Sequence, residues 1–240
     1  MHRLNVHKVF ADIVLKPASR LPSRSVQGMS NEAELRAEVA SRRQIIGSKH
    51  PDTLASINSL AHLCYAQGRL PEADYLWREA LAGCRETFGE KHPNTLISIG
   101  NMAALLKAQG KLAEAEPLYC EALAGHRQTL GDTHPNTLIS MGNMAELLRA
   151  RGKLAEAEPL CREALAGERE TLGDKHPNTL GSINNMAAML EAQGKLAEAE
   201  QLYSQALAGF RESFFGGRSP AHAAVNQRHG SAVSRPGQAC

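Results

Sequence analysis

The chain has few aromatic residues and no closely paired cysteines. Of its 240 residues, 42% are hydrophobic but only 4% are aromatic, so any core must consist mainly of Leu, Ala, Ile and Met. Ala and Leu favour helices, whereas strands favour Val, Thr, Tyr and Phe. No CxxC spacing occurs among Cys64, Cys84, Cys120, Cys161 and Cys240. We therefore expect neither a zinc site nor a disulfide framework, but small apolar thiols in a reducing compartment.

Long apolar runs are also missing. No stretch approaches the about 18 apolar residues of a membrane span, and His7, Lys8 and Asp12 interrupt the first apolar segment, which argues against a secretory signal. Residues 1–29 carry five basic residues and one acid. We predict that they form a disordered basic leader, with an organelle transit peptide as the alternative. The default prediction is a cytoplasmic protein without a membrane partner.

Charge is distributed unevenly, although the net charge is only +2. Residues 30–216 hold 19 basic and 24 acidic side chains, whereas residues 217–240 hold three arginines and no acid. Phosphate binding requires clustered Lys and Arg. The acidic body therefore predicts no nucleic-acid partner, and a helical-repeat RNA binder remains the less favoured alternative.

A repeat of 42 residues dominates the chain. His-Pro recurs at 50–51, 92–93, 134–135 and 176–177, and the text around it recurs as well. Residues 92–133 read HPNTLISIGNMAALLKAQGKLAEAEPLYCEALAGHRQTLGDT, and the next 42 residues are nearly the same. A fixed period of this size indicates a solenoid of stacked units. The predicted units are residues 50–91, 92–133, 134–175 and 176–216.

Each unit contains two stripes of apolar residues with helical periodicity. The first stripe, at spacing i, i+3, i+4, i+7, consists of Ile99, Met102, Ala103 and Leu106. It predicts a helix A that ends at Gly110. A second stripe from Leu112 predicts a helix B that ends at Gly131. The expected fold is all-α, with two helices in each unit.

These units resemble the tetratricopeptide repeat (TPR) family. Small residues where that family has its helix crossings are Ala103, Ala115 and Ala122, with Gly110 at the turn. The longer period and the LGDxHPxTLxSxxNMA stretch resemble the repeats of kinesin light chains and their bacterial and algal relatives. The resemblance implies a right-handed α-solenoid of antiparallel helix pairs, the TPR superhelix. Residues 1–29 lack the heptads with which kinesin light chains hold the motor, so the resemblance concerns the repeat type.

The two ends depart from the repeat. Residues 30–49 align with a helix B and are predicted to be a lone capping helix. At the other end, a fifth His-Pro is due at 218–219 but does not occur. Residues 222–233 can be back-translated with synonymous codons chosen so that the same nucleotides, read one position later, encode TLQSINDMAVL. This alternative reading resembles helix A. We hypothesise that residues 217–240 are a disordered tail produced by a frameshift in a fifth repeat, which transcript sequencing tests.

Without a fifth repeat, the fourth unit is predicted to end in an uncapped helix B. Its apolar side chains would then face solvent and favour weak homo-oligomerisation. The side chains predicted to be exposed are Leu202, Tyr203, Leu207 and Phe210.

In the resembled family, helix A lines a concave groove that takes up peptides. The groove positions carried over to this chain are Asn58, His62, Asn101, Lys107, Asn143, Arg149, Asn184 and Asn185. An Asn amide can pair with both polar groups of a peptide unit, and each bond contributes about 0.5–1.5 kcal/mol. Lys107 and Arg149 would attract an acidic group, whereas Glu146 and Glu191 would oppose it. The alternative is that the Asn side chains bond between neighbouring helices and only fix the stacking.

No feature of the repeat predicts catalysis or a cofactor. A phosphate loop, a Ser-His-Asp arrangement and a carboxylate pair in a cleft are all missing. The register-matched histidines, predicted to cap helix A, are His50, His92, His134 and His176. Stacked helices lie about 8–10 Å apart, too far for shared zinc ligation at about 2 Å. The predicted function is a non-catalytic scaffold for a protein or peptide partner, with a self-associating structural module as the alternative.

Overall fold

The computed structural model describes residues 27–215, which form nine α-helices and no strand. The helices are α1 (Gln27–Ile45), α2 (Pro51–Ala66), α3 (Leu70–Phe88), α4 (Pro93–Ala108), α5 (Leu112–Leu130), α6 (Pro135–Ala150), α7 (Leu154–Leu172), α8 (Pro177–Ala192) and α9 (Leu196–Phe215). Residues 27–29, predicted to belong to the leader, lie in the first turn of α1. The rest of the predicted leader, and the predicted tail with its frameshift hypothesis, lie outside the described residues.

The repeated histidine begins every A helix (α2, α4, α6 and α8). In all four repeats its Nδ1 accepts a hydrogen bond from the backbone N–H two residues later, at 3.1–3.2 Å. The proline that follows has no N–H, which costs nothing at the first helical position. The predicted capping role is confirmed, and an accepting Nδ1 requires the neutral form of the ring. Within the described range, no three His, Cys, Asp or Glu side chains are grouped to hold a metal ion.

Small residues bring the two helices of each repeat together. Ala103 of α4 and Ala115 and Ala122 of α5 are fully buried, so α4 and α5 approach closely enough for their ridges and grooves to interlock. Gly110 has a φ of +77° at the turn between them, a conformation that glycine adopts without steric cost. The antiparallel pairs and the turn are as the sequence predicts.

A second close approach lies near the end of each B helix (α3, α5, α7 and α9). A Cβ atom on Gly125 would lie 2.4 Å from Cδ2 and 2.7 Å from Cδ1 of Leu96, which is itself buried. Only glycine accommodates that leucine at this distance. The same contact recurs as Gly83 with Leu54, Gly167 with Leu138 and Gly209 with Leu180.

Neighbouring repeats meet at a polar joint whose chemistry differs along the array. Nδ1 of His126 on α5 lies 2.9 Å from Oγ of Ser140 on α6, and both side chains are buried. One repeat later, buried Glu168 occupies the position of His126 and interacts with Ser182. Burial lowers the pKa of His126 and raises the pKa of Glu168. Each shift favours the neutral form of its side chain.

Replacing Glu168 with glutamine is expected to stabilise the protein at neutral pH. Because the folded-state pKa of Glu168 is raised above its ordinary value of 4.5, the folded state holds a proton that the unfolded state releases. Stability is therefore lost as the pH rises from about 4.5 through the folded pKa. Urea denaturation from pH 4 to pH 8 should show a smaller decline for Glu168→Gln than for the wild type. Glu170→Gln, at an exposed position of the same helix, should leave the decline unchanged; equal declines in all three proteins would contradict the prediction.

The last helix agrees with the predicted exposure only at Leu207, because Leu202 and Tyr203 are half-buried and pack against the apolar core. Leu207 of α9 is 37% exposed, whereas its counterparts Leu123 and Leu165 are buried. Phe210, however, is only 8% exposed because its ring belongs to the apolar core shared by repeats two to four. The predicted exposed face is therefore smaller than expected. In the described part of the chain, no helix is both long enough and apolar enough to cross a membrane.

Candidate functional site

The A helices form the inner side of the array. Each helix packs against its neighbours in sequence, and α4 also contacts α6 while α6 contacts α8. No two successive B helices among the described residues pack as extensively; long side chains join them instead, as in the 2.7 Å ion pair of Arg127 with Glu163. The A helices therefore lie closer together, as the inner elements of a curved stack do. The surface that they share is called the inner groove here.

All eight residues predicted for the groove lie on A helices. The structure places Asn58 and His62 on α2, Asn101 and Lys107 on α4, Asn143 and Arg149 on α6, and Asn184 and Asn185 on α8. His62 is exposed, and the others are half-buried. Each of the eight residues is thus carried by an A helix and is at least partly exposed, and its contact with a partner stays a prediction.

The asparagines have unused hydrogen-bonding capacity. The structure shows no side-chain hydrogen bond from any of the five groove asparagines to another described residue. Oδ1 of Asn58, Nδ2 of Asn101 and Oδ1 of Asn184 are each inaccessible to solvent and without a partner. The alternative prediction requires hydrogen bonds from the Asn side chains to neighbouring helices. No such bond occurs among the described residues. Unpaired buried polar atoms are costly, so an amide that turns towards a partner and pairs with it there would gain a hydrogen bond that it lacks within the chain.

Charges in the groove are only partly neutralised. Nζ of Lys107 forms an ion pair of 2.7 Å with Glu146 of the next repeat, which weakens its predicted attraction for an acidic partner. Arg149 makes no ion pair and donates no side-chain hydrogen bond within the described range. The Oη of Tyr203 donates to Glu191 at 2.8 Å. Arg149 is therefore the stronger candidate for contact with a carboxylate.

An aromatic cluster lies at the first repeat, with His62 and Tyr65 of α2 packed on the buried Trp77. The ring of Trp77 on α3 meets His62 edge-on at a centroid distance of 5.1 Å and Tyr65 at 5.4 Å. Although His62 is partly exposed, desolvation of its ring by the neighbouring residues lowers its pKa, which favours the neutral form. Burial raises the pKa of Tyr65, and the carboxylate of Glu146 contributes further. This end of the groove offers neutral aromatic surface, in contrast to the charged centre.

Two groove residues escape the sequence-based prediction. Ile97 and Ile139 are 37% and 46% exposed, on the same helix face as Asn101 and Asn143. Isoleucine in an amphipathic helix is normally assigned to the core. Its position relative to the buried residues Leu96 and Ile99 nevertheless places Ile97 on the face that points away from the core. The helical period therefore could have predicted its exposure.

Helix pairs that stack only against their neighbours define an α-solenoid. A family model described as "Tetratricopeptide repeat" matches residues 52–128, 100–166 and 139–212. The chain belongs to the tetratricopeptide repeat family, and its repeats are of the kinesin light chain-like type. No curated protein matches it in sequence.

Solved structures of similar repeats agree with this assignment. Crystal structures of a Podosopora anserina kinesin light chain protein with nearly identical TPR-like repeats are 30% identical to this chain. One of them covers 78% of this chain and 88% of its own, with a TM-score of 0.61. The structure of BtubC (BKLC) from P. vanneervenii is 22% identical, covers 89% of this chain and 79% of its own, and has a TM-score of 0.62. The second likeness concerns the fold alone.

Proposed function

We propose that the chain is a non-catalytic interaction scaffold that takes up an extended segment of a partner protein in the inner groove. The observation that carries this proposal is the column of half-buried asparagines whose amide groups have no partner among the described residues. An extended peptide presents a donor and an acceptor at each residue, which matches an amide side chain. Arg149 would add a contact to a carboxylate of the partner.

Replacing Asn101, Asn143 and Asn185 together with alanine is expected to weaken peptide binding about 10- to 1000-fold. Three lost hydrogen bonds of about 0.5–1.5 kcal/mol each account for this range. The probes are peptides selected from a random dodecapeptide display library on the immobilised full chain, and their dissociation constants are measured by fluorescence anisotropy. Thermal unfolding by circular dichroism should be nearly unchanged.

A matched control is available on the same helices. Asn94, Asn136 and Asn178 each lie seven residues earlier, about 10 Å away along the helix, and contribute only their backbone N–H groups to the histidine caps. Their replacement with alanine should leave peptide binding intact. A lowered melting temperature with unchanged binding in the Asn101, Asn143, Asn185 variant would show that these asparagines hold the repeats together instead.

Self-association through the fourth repeat is the second candidate function. It is favoured by the exposure of Leu207, whose counterparts in repeats two and three are buried. Light scattering over a range of concentrations tests it. An increase in mass with concentration that Leu207→Ser abolishes would support this candidate, and a constant monomer mass would exclude it.

A further inference from the structure

For two glycines of the A helices, no contact among the described residues explains why glycine is needed. Glycine is among the least favourable residues in a helix interior, yet Gly100 and Gly142 lie near the middle of α4 and α6. A Cβ on Gly100 would have no atom within 4 Å, and one on Gly142 would have only Nδ2 of Asn185, at 4.0 Å. The B-helix glycines differ because a Cβ on each of them would lie only 2.4–2.6 Å from a leucine methyl carbon. Packing explains those glycines but not Gly100 and Gly142.

The exposed isoleucines lie beside these glycines. Ile97 precedes Gly100 by three residues and Ile139 precedes Gly142 by three, so each pair shares one helix face. The end repeats have Ala55 and Gly181 in place of the isoleucines, and Asn58 and Asn184 in place of the glycines. An apolar surface in which a glycine without a side chain lies beside an exposed isoleucine is therefore confined to repeats two and three. It is called the apolar trough here and consists of Ile97, Gly100, Ile139 and Gly142.

We propose that the apolar trough binds two large apolar side chains, three residues apart, of an extended partner segment. This inference rests on the proposed function, because Asn101 and Asn143 would hold the backbone of the same segment. Glycine lets a ligand approach the helix backbone closely, and each isoleucine supplies the apolar wall beside that approach. The partner side chains would remove Ile97 and Ile139 from water.

The spacing of the repeats determines the spacing of the ligand side chains. Packed helices lie about 8–10 Å apart, and α4 and α6 are in direct contact. A polyproline II segment rises about 3.1 Å per residue and returns to the same side after three residues, or about 9 Å. Residues i and i+3 of such a segment therefore match two successive repeats. Residues i and i+2 of a β-strand are only about 7 Å apart, which is less than the distance between two packed helices.

The charge of Arg149 favours a partner over the chain's own ends. Arg149 has no ion pair in the described residues, and the ends are themselves basic. Residues 1–29 carry five basic side chains against one acid, and residues 217–240 carry three against none. Beside Arg149 the basic side chains of either end would meet a like charge, whereas a partner segment with a carboxylate complements Arg149.

Selection and two variants test the inference. The probe is the random dodecapeptide display library used on the full chain, whose selected peptides should carry large apolar residues at i and i+3. Gly100→Ala with Gly142→Ala should raise the melting temperature, because alanine favours helix, yet weaken binding of a selected peptide at least fivefold. Ile97→Ser with Ile139→Ser should weaken binding similarly and remove the apolar preference from a second selection.

Each outcome distinguishes this inference from the proposed function. Peptides that depend on the asparagines but lack the i and i+3 pair, or that bind the double alanine variant normally, would overturn the trough and leave the groove function standing. If no asparagine-dependent peptide is recovered, the proposed function fails, and the inference fails with it. Synthetic peptides of residues 1–29 and 217–240 serve as competitors; displacement by either would show that the chain's own end occupies the trough.

Discussion

Trp77→Ala is expected to cost about 3–5 kcal/mol of stability, the range for removing a large aromatic side chain from a core. The indole is only 1% exposed and packs on His62 and Tyr65. Its loss leaves a cavity that neighbouring helices cannot fill by small adjustments, because protein interiors are close-packed. Urea denaturation followed by circular dichroism measures the change. Hydrogen exchange should locate the loss of protection in α2–α4, since each repeat contacts only its neighbours.

Trp77→Phe is the matched control for this experiment. The indole N–H is buried without a hydrogen-bond partner, so removing it sacrifices no bond, and phenylalanine retains most of the apolar volume. We expect a loss below about 1.5 kcal/mol, as for conservative changes of core shape. A phenylalanine variant as unstable as the alanine variant would show that the N–H, and not the volume, stabilises the repeat.

Gly125→Ala is expected to destabilise the protein by about 1–3 kcal/mol, although alanine is the better helix former. The added Cβ would lie 2.4 Å from a methyl group of Leu96. The destabilisation caused by such overpacking exceeds the stabilisation that alanine gives through its higher helix propensity. Leu96 is buried and cannot turn away without displacing other side chains. Chemical denaturation measures the loss. Gly100→Ala, where the Cβ meets open space, should instead stabilise by about 0.5–1 kcal/mol.

A double-mutant cycle identifies Leu96 as the cause. Leu96→Ala alone should cost about 2–5 kcal/mol, and combining it with Gly125→Ala should cost less than the sum, because the new methyl group then enters vacated space. Additive losses in the double variant would mean that Gly125 is required for another reason.

The repeat architecture could be predicted almost entirely from the chain's own periodicity. The His-Pro pairs coincide with the start of each A helix because capping and the proline at the first position are local effects. Gly110 and Ala103 were equally informative, since a positive φ and a close helix crossing each restrict the side chain at one position. The registers of α4 and α5 therefore follow from residues within one unit.

The groove could be predicted only in outline. Sequence assigns Lys107 and Glu146 to the same surface, but their ion pair depends on how one repeat is rotated against the next. The burial of Phe210 has the same origin, because it joins a core that spans several repeats. A 42-residue period indicates that the units are equivalent, but it does not predict how one unit is oriented relative to the next.

The repeated pairing of one glycine with one leucine inside each unit has a consequence for how such a chain changes over generations. Because every repeat brings its own crossing, its own turn and its own histidine cap, unequal exchange between tandem gene copies would add or delete a whole module without creating a foreign contact. Joining α3 directly to α6, for example, would still place a small B-helix side chain, Cys84, against Ser140. The length of the inner groove can thus change by one repeat at a time, while the contacts that fold each repeat stay the same.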